Sequence, residues 1–145
     1  MRALLQRTSH ARVSVHERTI AESGPGLVIL LGIGHQDGLT QVRFLAEKIA
    51  NLRIFEDQAG KSNLSILDVR GEAIVVSQFT LYADSRKGRR PSFIDAALPE
   101  IARPLVDQFV ELLKSLGVPT QKGEFGAHML VEIHNDGPVT IWLVS

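Results

Sequence analysis

Two short segments hold the residues whose types and spacing suit chemistry: Ser77-Gln78-Phe79-Thr80-Leu81 and Asn135-Asp136-Gly137-Pro138-Val139-Thr140. The first follows the apolar run Ala73-Ile74-Val75-Val76. A chain leaving a strand at that point can hold the backbone N–H groups around Gln78, Phe79 and Thr80 rigidly toward a carbonyl. That is oxyanion-hole chemistry, and it needs no side-chain base. The competing reading makes the Thr80 hydroxyl a nucleophile, which requires an adjacent base; His134 and Asp136 have suitable side chains, but they are far off in sequence. Thr is also an ordinary strand residue. The second segment carries a Gly-Pro step, which fixes one φ, removes one donor and permits a cis peptide. Beyond the first segment lies a cationic run, Arg86-Lys87-Gly88-Arg89-Arg90. Such runs are usually solvated loops. An anionic ligand near Gln78–Leu81 would nevertheless meet these four cations, and Lys and Arg contacts to phosphate dominate nucleic-acid affinity.

Other chemistries find less support. The histidines (His10, His16, His35, His128 and His134) form no metal-binding pair of the H-E-x-x-H kind, so no metal is expected. Gly60-Lys61-Ser62 resembles the end of a phosphate loop, but Phe55 stands where that motif needs glycine and no buried strand precedes it. A turn over Asp57–Gly60 is the simpler expectation. The chain has no cysteine, which removes disulfides, thiolate metal sites and Cys nucleophiles and fits a cytosolic protein. Sixteen basic residues balance sixteen acidic ones, so an anionic partner must be held by a local patch.

The elements that must position these residues can be read from periodicity. The 145 residues, 44% of them apolar, suit one domain with a substantial core. No apolar run approaches the ~20 residues that span a bilayer. Met1–Arg7 reads as a first strand and not as a secretory leader. Strands are expected over Ala3–Arg7, Arg12–Val15 and Gly26–Ile33. Val42, Leu45, Ala46, Ile49 and Leu52 recur at helical spacing after Asp37-Gly38. A second helix is expected from about Pro99 to Leu116, with Ile101, Leu105, Phe109, Leu112 and Leu116 as its apolar stripe. Pro104 predicts a later start or a bend in it. Met129, Val131 and Ile133 alternate with Leu130, Glu132 and His134, and Thr140–Val144 reads as the returning arm of a hairpin whose tip is an irregular loop at Asp136–Pro138. No βαβ rhythm is visible. The expected class is α+β: a single domain with a largely antiparallel β-sheet or barrel carrying two main helices.

Several stretches together carry a resemblance: Met1-Arg2-Ala3 with Gln6-Arg7, Gly24-Pro25-Gly26-Leu27, Arg53-Ile54-Phe55, Gly60–Leu64, Ser77–Leu81, Arg90-Pro91-Ser92-Phe93, Phe125-Gly126-Ala127 and Asn135–Thr140. Ser-Gln-x-x-Leu paired with Asn-x-Gly-Pro-x-Thr at these positions is specific. The chain resembles the bacterial-type D-aminoacyl-tRNA deacylases nearly end to end. His128 departs from the family's Asp in the Phe-Gly-Ala-x-Met stretch. The resemblance implies hydrolysis of the ester between a D-amino acid and the terminal adenosine of tRNA, with glycyl esters mischarged on alanine tRNA as further substrates. It implies a cytoplasmic homodimer without cofactor, in which a cis Gly137-Pro138 loop of each subunit enters the other's active site and rejects L-aminoacyl esters. On this resemblance Ser77, Gln78, Phe79 and Thr80 are catalytic, and Phe125 and Met129 line the adenosine pocket. Arg86, Lys87, Arg89 and Arg90 would then contact tRNA phosphates at the acceptor end. The rival classes are a non-catalytic tRNA-binding module and a small-molecule esterase.

Overall fold

A computed structural model describes residues 1–145. β1 (Arg2–Val15) is one long strand, not the two short ones expected. Its first half pairs antiparallel with β3 (Gly26–Gly32) and its second half with β2 (Arg18–Ser23). After α1 (Leu39–Ala50) comes a small hairpin of β4 (Phe55–Glu56) and β5 (Ser62–Leu64). The turn between those two strands is built on Asp57, whose carboxylate accepts the amides of Ala59 (2.8 Å) and Lys61 (3.0 Å) and the Asn63 side-chain amide (2.7 Å). This is the expected turn, closed from within by side-chain hydrogen bonds of a kind Asp favours. β6 (Glu72–Ser77) returns to the main sheet, a 3-10 turn spans Phe79–Tyr82, and α2 (Pro99–Ser115) leads to β7 (Thr120–Lys122). β8 (Leu130–Val144) ends the chain.

The α+β class with two helices in a single domain holds, with the sheet curled into a nearly closed barrel. Three expectations need correction. β6 lies parallel to β3, and β7 parallel to β6. α1 and α2 therefore sit in crossovers between parallel neighbours, a rhythm hidden by the long irregular segments around each helix. The C-terminal third is not a hairpin. Leu130–His134 and Ile141–Val144 both pair with β1, from Ser14↔Leu130 to Arg2↔Val144, so they run in the same direction and cannot pair with each other. Finally, α2 runs unbroken through Pro104 from Pro99. The acceptor that Pro104 cannot use is the Glu100 carbonyl, in an exposed first turn where water can replace the bond. The face α2 buries is Ala102, Leu105, Val106, Phe109, Val110 and Leu113, while Ile101 is 42% exposed.

Strand alternation explains how the central sheet is covered on both sides. Leu27, Ile29 and Leu31 of β3 and Ala73 and Val75 of β6 join the main core under the helices. Val28, Ile74 and Val76 point the other way, into a smaller core with Ala11, Val13 and Ala21. Strands buried on both faces read as continuous apolar runs, as Gly26–Leu31 and Ala73–Val76 do.

The turn after β6 is pinned by Tyr82. Its hydroxyl donates to Asp37 (3.2 Å), its ring lies 4.2 Å beneath the Arg2 guanidinium, and Arg2 Nη1 donates to the Leu81 carbonyl at 2.8 Å. Asp37 also accepts the Gly34 amide at 2.6 Å and pairs with the Met1 ammonium. Gly34 is required for this approach, since a Cβ there would lie 2.6 Å from the Tyr82 hydroxyl. Burial first, then the Asp37 charge and hydrogen bond, push the Tyr82 phenol from 10.0 up to about 12. The folded state thus holds this proton more tightly than the unfolded chain. The associated stability is complete below pH 10.0 and is lost as pH rises through about 12. Urea-unfolding free energies measured across that window should fall more steeply for the wild type than for Tyr82→Phe; parallel curves would show that Tyr82 ionisation carries none of the loss.

Candidate active site

The strand-end segment leaves the sheet in a defined way. Ser77 is the last residue of β6, opposite Leu31, and the Gln78 amide donates to the Leu31 carbonyl at 2.8 Å. Gln78 N–H is therefore occupied and cannot serve a ligand, which removes one of the three expected oxyanion donors. The next two amides, of Phe79 and Thr80, open the 3-10 turn, where the first N–H groups lack partners within the helix. Neither donates to any carbonyl in the turns and loops, whereas Leu81 and Ala83 donate to Gln78 and Thr80. Two adjacent, unengaged main-chain donors thus stand at the end of a doubly buried strand.

Thr80 lies in this turn and not at a strand end. Its hydroxyl accepts from the Gln78 side-chain amide at 2.5 Å. Neither residue considered as its base is hydrogen-bonded to it. His134 packs edge-on against His10 at 5.3 Å between centroids, and Asp136 pairs with Arg7 at 3.2 Å. Within one chain Thr80 has no activating base.

An open cavity of about 570 Å³ adjoins the turn. It brings together Ser77, Gln78 and Phe79 with Phe125 and Met129, so five of the expected site residues meet although they come from distant parts of the chain. Thr80 is not among the lining residues. His128, Phe93 and Leu98, at the start of α2, complete the mouth. Phe93 packs edge-to-face on Phe79 with centroids 5.0 Å apart, and both rings suit a flat, apolar or aromatic group. On the far side of Phe125 the Arg103 guanidinium lies 4.7 Å from the ring centroid.

Gly137 and Pro138 are elsewhere. Between Asn135 (opposite Thr8) and Thr140 (opposite Gln6), β8 carries four residues against the single Arg7 of β1. Residues 136–139 therefore bulge out of the ladder. The Asn-x-Gly-Pro-x-Thr spacing closes the bulge: Asn135 Oδ1 accepts the Val139 amide at 3.1 Å and Asn135 Nδ2 donates to Thr140 Oγ1 at 3.0 Å. The Gly137-Pro138 peptide is cis, with Gly137 at φ +123°. A Cβ at Gly137 would meet Val139 Cγ2 at 2.9 Å and Arg7 Nη2 at 3.1 Å. Gly137 borders a second hollow lined by Arg7, Phe55, Glu56, Val69 and Asp136, and this hollow shares no residue with the cavity beside Ser77.

Arg7 is a site-building residue that residue order did not single out. Only 8% of its side chain is exposed, yet it donates to the carbonyls of Ile54 (2.8 Å) and Asp136 (3.2 Å) and faces Glu56 at 3.7 Å. A signal was present: in β1 it succeeds Ala3 and Leu5 on the buried alternation, where a cation needs partners. The cationic loop is placed more simply. Asp84 and Ser92 exchange backbone bonds of 2.8 Å at its base, and Arg86, Lys87, Arg89 and Arg90 are all exposed. Arg86 is engaged by Asp84 at 2.7 Å, and its hydrogen bonds hold that carboxyl down at about 2. None of the four cations lines the cavity, although the loop's base leads directly into Phe93, which does.

Comparison with known proteins assigns the family. The sequence model for D-Tyr-tRNA(Tyr) deacylase matches residues 4–144. A D-aminoacyl-tRNA deacylase of Thermomicrobium roseum is 61% identical over the full chain and 94% of the relative's length. That of Fervidobacterium nodosum is 53% identical over the full chain and 97% of the relative. A solved structure named c-Myc DNA Unwinding Element Binding Protein superposes with a TM-score of 0.95 at 41% identity, covering 100% of this chain and 99% of that one. A eukaryotic structure described as a probable D-amino acid tRNA deacylase, 16% identical with a TM-score of 0.82 over 98% of this chain and 97% of its own, shares the fold. The chain belongs to the D-Tyr-tRNA(Tyr) deacylase family.

Proposed function

We propose that this protein hydrolyses the ester of D-aminoacyl-tRNA in the cytoplasm, releasing the D-amino acid and free tRNA, and that it spares the L-ester. The observation that carries this function is the single cavity in which the strand-end turn meets Phe125 and Met129. The terminal adenosine fits among the apolar and aromatic walls, with its ester at the turn. Water attacks the ester carbonyl, and the negative charge that develops on the carbonyl oxygen is met by the Phe79 and Thr80 amides. Such a contribution is worth ~3 kcal/mol, enough to matter for an already reactive ester. The C–O bond to the ribose then breaks, and the ribose oxygen leaves with a proton. The neighbouring ribose hydroxyl is well placed by its own chemistry to help activate the water. Ser77 and Gln78 shape the turn, and the exposed Arg86–Arg90 loop contacts the acceptor-end phosphates.

Chirality needs a second element, and here geometry argues for a homodimer. In one chain Gly137 and the Ser77–Phe79 turn border separate hollows, so on this reading the loop reaches a reaction site only if a second copy supplies it. β8 pairs only with β1, which leaves its other edge unpaired, and Trp142 (47%) and Val144 (55%) on it are exposed. The incoming backbone around Gly137 would hold the α-amino group and leave no room for an L side chain. Glycyl esters have no side chain to exclude and pass the same filter, which extends the substrates to glycine mischarged on alanine tRNA. A filter of this kind works by clash against the wrong substrate and so tolerates many D side chains.

A second reading, a nucleic-acid-binding module without catalysis, draws on the exposed cationic loop and on the name of the similar DNA-unwinding-element binding protein. A small-molecule esterase is the third. A time course with D- and L-tyrosyl-tRNA separates them: the D-ester should disappear, the L-ester persist, and chelator change neither rate. A bound but intact D-ester would favour the binding module, and loss of both esters would end the chiral assignment. Thr80→Ala should retain most deacylation, within about twofold, while hydrogen in place of the terminal ribose hydroxyl should slow cleavage at least about a hundredfold, as for other lost transition-state groups. Complete loss in a folded Thr80→Ala enzyme would restore the nucleophile. Gly137→Ala, strained at its φ and crowded against Arg7, should raise the ratio of L- to D-cleavage about tenfold or more, in line with losing a steric veto. An unchanged ratio in single-turnover assays would remove the loop from discrimination.

A further inference from the structure

A second, more polar cleft of about 310 Å³ backs onto the first and shares Ser77 and Phe125 with it. Arg103, Asp107, Lys122 and Glu124 are its charged walls. The two cations differ in availability. Lys122 is held by Asp107 at 2.5 Å. Arg103 makes no ion pair or side-chain hydrogen bond within the chain, and its only specific partner is the face of Phe125, at 4.7 Å. A guanidinium held over a ring keeps its N–H donors open, and such donors suit bidentate recognition of a phosphate. The position matters as much as the charge. Phe125 is the common wall: one cavity lies along it, and Arg103 stands over its face.

We infer that Arg103 binds the phosphodiester linking the terminal adenosine to the preceding nucleotide. The inference rests on the placement of that adenosine in the larger cavity. A nucleoside seated against Phe125 carries its phosphate only a ribose away, and the neighbouring cleft offers one open cation beside a neutralised one. The Asp107 charge is answered by Lys122. The Glu124 carboxylate stands on the same wall without a hydrogen-bond partner and would repel further phosphates, which disfavours an extended anionic track. The 84–92 loop, which lines neither cleft, is left to more distant phosphates.

The test compares two substrates that differ by this anion: D-tyrosyl-tRNA, and D-tyrosyl-adenosine, which has no phosphate. In Arg103→Gln the ratio of kcat/KM for the tRNA ester to that for the adenosine ester should fall about tenfold, mainly through KM, as for loss of one charge-assisted contact. Arg103→Lys, which keeps the charge and loses the fork, should recover part of the ratio. The dependence of log KM on log salt for the tRNA ester should flatten by about 0.7, the value for one single-strand phosphate contact. An equal fall on both substrates would make Arg103 a mere support for Phe125, and an unchanged kcat/KM on both would remove it from recognition; either overturns the assignment. If the wild type fails to cleave D-tyrosyl-tRNA at all, the proposed deacylase activity fails first, which is a distinguishable result.

Discussion

The hydrogen bond from the Gln78 amide to the Leu31 carbonyl is the constraint on which the rest of the site depends. It is the last rung between β3 and β6, two strands covered on both faces by apolar side chains. A rung in that position cannot be traded for water at little cost, so the chain leaves the sheet at a fixed point and in a fixed direction. The backbone beyond it has little freedom. The 3-10 turn begins at once, Tyr82 locks its far end against Gly34 and Asp37, and the two amides in between have no carbonyl to meet. In the proposed mechanism, rigidity at both ends would let these main-chain donors act without side-chain help, because they would not have to reorganise when charge develops.

A different solution holds the second element. Residues 136–139 have no sheet partner, and their shape comes from side chains reaching into the bulge: Asn135 and Thr140 across its neck, and the buried Arg7 beneath it. Arg7 is the costlier device, since a guanidinium with 8% exposure must have its donors met. Two carbonyls and two carboxylates supply that need, and each ties the bulge or the Ile54–Glu56 segment to β1. The surface produced is firm, and the hollow it borders shares no lining residue with the cavity beside Ser77. One chain therefore holds the Ser77–Phe79 turn and the Gly137 bulge at separate hollows, and the proposed stereospecific site would need a second copy to join them.

Much of this was legible in residue order, for identifiable reasons. Helical spacing located α1 and α2 because each has one dry face, although a strictly periodic stripe misjudged Ile101, which lies just inside the N-terminus where α2 overhangs the core. The apolar runs at Gly26–Leu31 and Ala73–Val76 marked central strands. The final segment was misread because alternation reports which face a residue takes and says nothing about which strand it pairs with. Asp136-Gly137 resembles a hairpin turn locally, yet both arms run the same way along β1. Parallel pairing of β3 with β6 was hidden for the same reason.

Residue types and their spacing by themselves determined the class of fold, the absence of thiol chemistry and the two polar segments, while the family came from a resemblance to known sequences. Backbone donors, apolar periodicity and turn chemistry are local properties, and local properties survive in a linear string. Tertiary structure alone decided that the Gln78 amide is occupied while those of Phe79 and Thr80 are open, that neither His134 nor Asp136 of the same chain is bonded to Thr80, and that Phe125 and Met129 share a cavity with the turn while Gly137 does not. Each of these depends on which distant atoms satisfy a polar group or fill a space, and that is settled only when the strands choose partners and the core closes around them.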